Sequence, residues 1–232
     1  MVQLDDLKQR WQLEPMAEYV CDLNLNLYKT PTDSSLVTQA AAGLPLKIAD
    51  ITSDGISVIL CTDSYPGWLR VDDIDALSTA AAPYQAPMVT RAHIEKVIPD
   101  AIAFTQAAMA TPNQYLWGGT VAPDYDCSGL MQAAFASVGV PLPRDSYQQE
   151  AFTTTLDKTA LRPGDLIFFG TPERTTHVAL HLENGRYIHS SGKDQGRNGI
   201  GIDSIDDLTD PVSAAYAAQY RCCGRIMAGY SP

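Results

Sequence analysis

The sequence predicts an α+β fold in two parts: a small all-β barrel within residues 1–78, then helices packed on an antiparallel sheet at 91–232. Three observations predict it. Short strand-like runs recur through residues 16–78 with turn signals between them, the pattern of a small barrel. The stretch Ser78-Thr79-Ala80-Ala81-Ala82-Pro83-Tyr84-Gln85-Ala86-Pro87 is rich in small residues and proline and reads as a linker, assigned to 79–90. Beyond it, helix-start residues precede apolar stretches, and two strand-like runs flank Asn184-Gly185, a hairpin signature.

In the first part the runs are Leu46-Lys47-Ile48-Ala49, Ser57-Val58-Ile59-Leu60 and Gly67-Trp68-Leu69-Arg70-Val71, with turns at Ser53-Asp54-Gly55 and Tyr65-Pro66-Gly67. In the second, Thr90 is an N-cap opening a helix to about Ala110, with Pro99 as the residue that would break it. Another helix starts at Asp126-Cys127-Ser128-Gly129, runs through Leu130 to Ala136 and is closed by Val138 to Pro141. The strands are Thr176-His177-Val178-Ala179-Leu180 and Tyr187-Ile188-His189-Ser190. No internal repeat or low-complexity tract is present in the sequence.

The chain has 232 residues, 45% hydrophobic and 19% charged, an ordinary globular composition. Its net charge is −11 and its pI about 4.6. Such a balance excludes the electrostatic footprint of a nucleic-acid or anionic-membrane binder and favours a ligand bearing an amine. The first 90 residues carry 12 acids against 5 bases, the rest 15 against 11. No stretch nears the roughly 18 apolar residues that span a bilayer. The acidic start, Met1-Val2-Gln3-Leu4-Asp5-Asp6-Leu7, lacks the basic-then-apolar pattern of a secretion signal, so a cytoplasmic chain is expected, or a secreted or periplasmic one if a signal has been removed. Cys21, Cys61 and Cys127 are scattered and Cys222-Cys223 adjacent. No Cys-x-x-Cys occurs, so no zinc and no other cofactor is expected, and reduced thiols are, with the adjacent pair as half-buried strand residues.

Cys127 carries the chemistry. A lone cysteine is most often a small core hydrophobe, but this one opens a helix between Asp126 and Ser128. A helix N-terminus offers unpaired N–H groups and the positive end of the macrodipole, which favour thiolate, the nucleophilic form. With a histidine on a later strand it makes the arrangement for thiol acyl transfer. The two histidines need one face of the hairpin. A regular two-residue Asn184-Gly185 turn pairs Glu183 with Arg186, so paired numbers sum to 369 and His177 and His189 face opposite ways. The catalytic reading therefore requires an odd loop or a bulge.

Tyr115-Leu116-Trp117-Gly118-Gly119, Asp126-Cys127-Ser128-Gly129, Pro163-Gly164-Asp165-Leu166, His177-Val178 and His189, in this order, resemble the NlpC/P60 papain-like cysteine peptidases of bacteria over about residues 91–226. Asn24-Leu25-Asn26-Leu27-Tyr28 and Gly67-Trp68-Leu69 resemble a bacterial SH3-like domain. The resemblance implies Cys127 as nucleophile, His177 as base and His189 as its orienting partner. The Cys127 N–H and the Tyr115 hydroxyl would hold the oxyanion. It also implies a substrate class, murein stem peptides carrying a free N-terminal L-Ala, cut between γ-D-glutamate and a diamino acid during wall-peptide recycling. Candidate contacts to that substrate are Tyr65, Asp63 and Asp73 (with neighbouring Asp72) in the SH3-like half, and Asp126 and Ser128 beside the nucleophile. His181 is expected to be structural or to line the site, His93 to lie on the surface, Trp117 to pack inside, and Arg144 and Asp145 to form a structural loop near the cleft. The competing readings are a secreted hydrolase anchored to intact wall by the SH3-like domain, an NlpC-like amidase or acyltransferase on lipids, and a non-catalytic binding module.

Overall fold

The computed structural model describes residues 4–232, so the leader reading at Met1-Val2-Gln3 lies outside the described residues. The chain divides into two compact units, one extending to Ala86 and including Ser231–Pro232, the other Pro87–Tyr230.

The first unit opens with α1 (Leu4–Leu13) and continues through β1 (Glu18–Cys21), β2 (Leu25–Tyr28), β3 (Leu36–Ala40), β4 (Pro45–Ile51), β5 (Ile56–Leu60), β6 (Pro66–Leu69), a 3-10 turn (Val71–Ala76) and β7 (Leu77–Thr79). The strands form one antiparallel sheet in the order β3-β2-β6-β5-β4-β1-β7. Side chains alternate across each strand. Leu46 and Ile48, Ile56, Val58 and Leu60, and Leu27 and Leu69 therefore share the buried side. The turn placed at Tyr65-Pro66-Gly67 sits earlier: Pro66 already begins β6, and Ser64 reverses the chain with φ +57°. The strand also stops short of Val71, because the Asp73 carboxylate accepts the Arg70 N–H at 3.0 Å and starts the 3-10 turn.

The second unit contains α2 (Arg91–Ala110), the two-stranded β8 (Thr120–Val121) and β9 (Asp124–Tyr125), α3 (Cys127–Ala136), α4 (Ser146–Phe152), β10 (Thr154–Leu156), β11 (Leu166–Gly170), β12 (Thr175–His181), β13 (Arg186–Ser191), β14 (Gly199–Ser204), α5 (Pro211–Ala217) and β15 (Tyr220–Arg225). Six strands form an antiparallel sheet ordered β10-β15-β11-β12-β13-β14. Both faces are covered. Residues of α2 and α3 pack with Phe168, Val178, Leu180 and Ile188 on one, and Tyr216 of α5 packs with Ile167, Phe169, Ala179 and Tyr187 on the other. This is why β11 and β13 read as nearly continuous buried runs rather than alternating ones.

Thr90 caps α2 as expected, its side chain accepting the His93 N–H. Pro99 does not break the helix. It lacks the N–H that would reach Glu95, but both residues lie on the exposed side, where water meets the freed carbonyl, while Ile94, Ile98, Ala101 and Thr105 hold the buried side across the proline. Among the described residues no helix is long and apolar enough to cross a membrane.

Candidate active site

Cys127 is the first residue of α3, and Asp126 is its N-cap, accepting the Gly129 N–H at 2.7 Å. Asp126 does more than cap. Its Oδ2 accepts the Gly118 N–H at 2.9 Å, and Arg144 spans both oxygens at 2.6 and 3.1 Å. Arg144 also donates to Ser128 Oγ at 2.9 Å, and that hydroxyl points on to Asp126 Oδ1 at 3.3 Å. The loop arginine expected near the cleft is thus a buried guanidinium, 2% exposed, that clamps the start of α3. The glycine pattern has a steric cause. A Cβ on Gly129 would lie 2.0 Å from the Gly119 carbonyl oxygen, so the Gly118-Gly119 segment and the helix start approach more closely than any side chain allows.

The thiol is buried, 5% exposed, and the backbone N–H groups of Val178 and Ser128 reach its sulfur. Burial works against the thiolate that the helix start favours. Burial, followed by the Asp126 charge, pushes the thiol up to about 12, outweighing the N–H groups and Arg144. Burial also drives His177 well below its ordinary value, with His189 adding to it, and drives His189 down despite the Asp203 carboxylate. All three shifts favour the uncharged forms of the thiol and the two imidazoles.

The hairpin places the histidines on one face. The Asn184-Gly185 turn forms, with the Arg186 N–H on the Glu183 carbonyl at 3.1 Å, but Leu182 N–H also reaches the Arg186 carbonyl at 2.9 Å. Leu182 and Glu183 both oppose Arg186, a one-residue bulge that moves the paired sum from 369 to 368, as Leu180–Ile188 and His181–Tyr187 show. His177 Nε2 then lies 2.7 Å from His189 Nδ1. His189 Nε2 lies 2.6 Å from Asp203 Oδ2 on β14, and Arg197 binds the same carboxylate through Nε at 3.2 Å and through Nη2. Tyr216 roofs the row, its ring centroid 4.5 Å from that of His177 and 4.8 Å from that of His189. Tyr115 lies in the segment that bridges to Tyr125, and its hydroxyl is raised by burial and then by the proximity of Cys127 and Asp126.

The remaining expected residues fall as follows. In the first unit Asp63 is buried and its Oδ1 accepts the Tyr65 N–H at 3.0 Å, Tyr65 is half-buried, Asp73 caps the 3-10 turn, and Asp72 is exposed. In the second, His93 is exposed on α2, and His181 is buried with Nδ1 lacking a hydrogen-bond partner. Trp117 overturns its expected packing: it is 72% exposed, because Gly118, at φ +81°, and its bond to Asp126 turn the backbone inward and leave the indole outside. All five cysteines are free; Cys223 is fully buried and Cys222 half-buried. Among the described residues no cluster of three or more His, Cys, Asp or Glu is placed to hold a metal.

The "Peptidoglycan endopeptidase RipB" of Mycobacterium tuberculosis is 31% identical over 184 residues, covering 70% of this chain and 74% of that one. The profile of the NlpC/P60 family matches residues 112–223. The chain belongs to the NlpC/P60 family. Residues 27–74 match the bacterial dipeptidyl-peptidase Sh3 domain. The chain also resembles the "Gamma-D-glutamyl-L-lysine dipeptidyl-peptidase" of Bacillus cereus, 39% identical over 33% of this chain and 24% of that one. It resembles the "Probable endopeptidase p60" of Listeria monocytogenes as well, 37% identical over 39% of this chain. The match spans only 18% of the length of p60.

Three residues of the NlpC/P60 site escape a reading of the sequence. Asp203, Arg197 and Tyr216 approach the histidines only through β14, the turn before it and α5. A polar Asp in the strand run Gly199-Ile200-Gly201-Ile202-Asp203 was the one available signal for the first. For Arg197 and Tyr216 nothing local distinguishes them from surface arginines and core tyrosines.

Proposed function

We propose that this chain is a cysteine endopeptidase that hydrolyses the γ-D-glutamyl-L-diamino acid bond of murein stem peptides with a free N-terminal L-Ala, in wall-peptide recycling inside the cell. The single observation that carries the catalytic part is the bulged hairpin, which sets His177 on His189 at 2.7 Å beside the helix-start thiol that Val178 N–H reaches. In the reaction His177 takes the Cys127 proton as sulfur attacks the γ-carbonyl carbon. The tetrahedral oxyanion meets the Cys127 N–H, which as the first helical N–H has no intrahelical acceptor, and the Tyr115 hydroxyl. Collapse breaks the C–N bond, and the leaving amine takes the proton from His177. Water then gives a proton to His177 and adds to the thioester, and the proton returns to sulfur as the glutamyl carboxylate leaves.

The substrate part is supported by the resemblance to the Bacillus cereus dipeptidyl-peptidase and by the matched Sh3 domain. The L-Ala ammonium is proposed to need a carboxylate other than Asp126, which is already committed to Arg144. A desolvated ammonium needs a paired acid, so acetylating the L-Ala amine should lower kcat/KM at least about tenfold.

Mass spectrometry of digests of the free tripeptide, its N-acetyl form and glycan-linked stems tests the proposal, with Cys127→Ala as control. Turnover by Cys127→Ala would end the peptidase reading. Equal cleavage of all three substrates would end the free-amine reading and favour action on intact peptidoglycan.

A further inference from the structure

We infer that Asp203 is a positioning residue that, through His189, fixes the tautomer of His177 and so keeps the nitrogen facing away from His189 free to accept the thiol proton. The inference rests on the reading of Cys127 as nucleophile and His177 as base.

The argument is one of donors and acceptors along a buried row. Asp203 is 6% exposed, and its carboxylate accepts from Arg197 through two nitrogens. Burial opposes its charge, but the His189 and Arg197 hydrogen bonds prevail and hold it below the ordinary carboxylate range. An ionised carboxylate only accepts, so the 2.6 Å contact requires a proton on His189 Nε2. Neutral His189 then has a lone pair on Nδ1, and the 2.7 Å contact requires a proton on His177 Nε2. His177 Nδ1 is left bare, which is the state a general base needs. Reversing any one hydrogen bond reverses those beyond it and leaves His177 protonated on the nitrogen that must work. Asp203 itself gains no proton at any step.

The fold is built around this row. In the β13–β14 register His189 faces Gly201 and Tyr187 faces Asp203, so the carboxylate lies on the histidine face two residues along. Gly201 leaves the room that Arg197 occupies, since a Cβ there would meet the guanidinium Nη1 at 2.3 Å. Tyr216 covers both rings, and its hydroxyl is hydrogen-bonded to Ser191 Oγ at 2.6 Å.

The test is Asp203→Asn in the full chain. With Arg197 Nη2 holding the amide oxygen, the amide nitrogen faces His189 Nε2 and donates, which flips both imidazoles. Removing the orienting carboxylate of a comparable triad costs orders of magnitude in rate with the geometry intact. The kcat is expected to fall at least about a hundredfold with KM within about threefold of wild type. Imidazole 15N chemical shifts supply a readout that a merely structural role would not move. They should show Nε2–H on both histidines in the wild type and Nδ1–H in a folded Asp203→Asn protein. A variant keeping kcat within threefold, or unchanged tautomers in it, overturns the inference. If the variant does not fold, the wild-type spectrum decides, and Nδ1–H on His177 there overturns it. Loss of activity in Cys127→Ala alongside an active Asp203→Asn removes this inference alone, whereas an active Cys127→Ala removes the peptidase reading beneath it.

Discussion

Replacing Arg144 by methionine tests the clamp at the helix start. Arg144 is 2% exposed and Asp126 is 6% exposed, so the variant leaves a carboxylate buried without its cation. Of the five donors on Asp126, the Gly118 and Gly129 N–H groups and the Ser128 hydroxyl remain, all neutral. Breaking a buried pair by removing one partner costs about 3–5 kcal/mol. For the Pro87–Tyr230 unit, an unfolding entropy of about 2.1 cal/mol/K per residue gives roughly 0.3 kcal/mol/K, so Tm should fall by about 10–17 °C. Adding Asp126→Asn removes the stranded charge yet keeps a capping side chain, and the double variant should regain about half the loss or more. Thermal melts followed by circular dichroism, with urea midpoints in parallel, measure both. An Arg144→Met protein within about 1 kcal/mol of wild type, well under the expected cost, or a double variant no more stable than the single, would refute the reasoning.

The glycine that lets the helix start dock should be intolerant. Gly129→Ala drives a Cβ into the Gly119 backbone and is expected to cost about 3 kcal/mol, whereas Gly139→Ala, with open space but φ +77°, should cost about 1 kcal/mol; urea denaturation of the two separates steric overlap from backbone strain. Because His177 and His189 are buried neutral with folded pKa values below the unfolded 6.5, their contribution is full above that pH and is lost as pH falls. Stability should drop below about pH 6.5 with a slope approaching about 2.7 kcal/mol per pH unit for the two, and urea midpoints unchanged between pH 7 and pH 5 would contradict neutral burial. Alkylation of native Cys127 by iodoacetamide should be slower at pH 7 than that of a free cysteine peptide and should rise steadily towards the thiol range near 12; rapid labelling at pH 7 would instead reveal a resting thiolate.

Local signals carried far in this chain. Thr90 and Asp126 cap their helices because a short polar side chain reaches the N–H three residues on, an interaction contained in four consecutive residues. The same locality identified Cys127 as a helix-start thiol and Asn184-Gly185 as a turn. Signals that depend on partners elsewhere misled. Trp117 read as packing because nothing nearby says that Gly118 is held by Asp126. The dipole argument for a thiolate omitted the burial that α3 acquires against β12 and β13.

The sequence by itself determined the division into two parts, the helix starts and the choice of Cys127, His177 and His189 as candidates, since each is written in contiguous residues or fixed spacing. Tertiary structure alone decided the register that puts the histidines on one face, the Asp203–Arg197 anchor, the Tyr216 roof and the Arg144 clamp. Those depend on one extra residue opposite Arg186, on a glycine vacancy filled from four residues away, and on a guanidinium 18 positions from its carboxylate. Their energies come from desolvated contacts that exist only after the sheet and helices have excluded water, and contacts of that kind leave no periodicity in the chain.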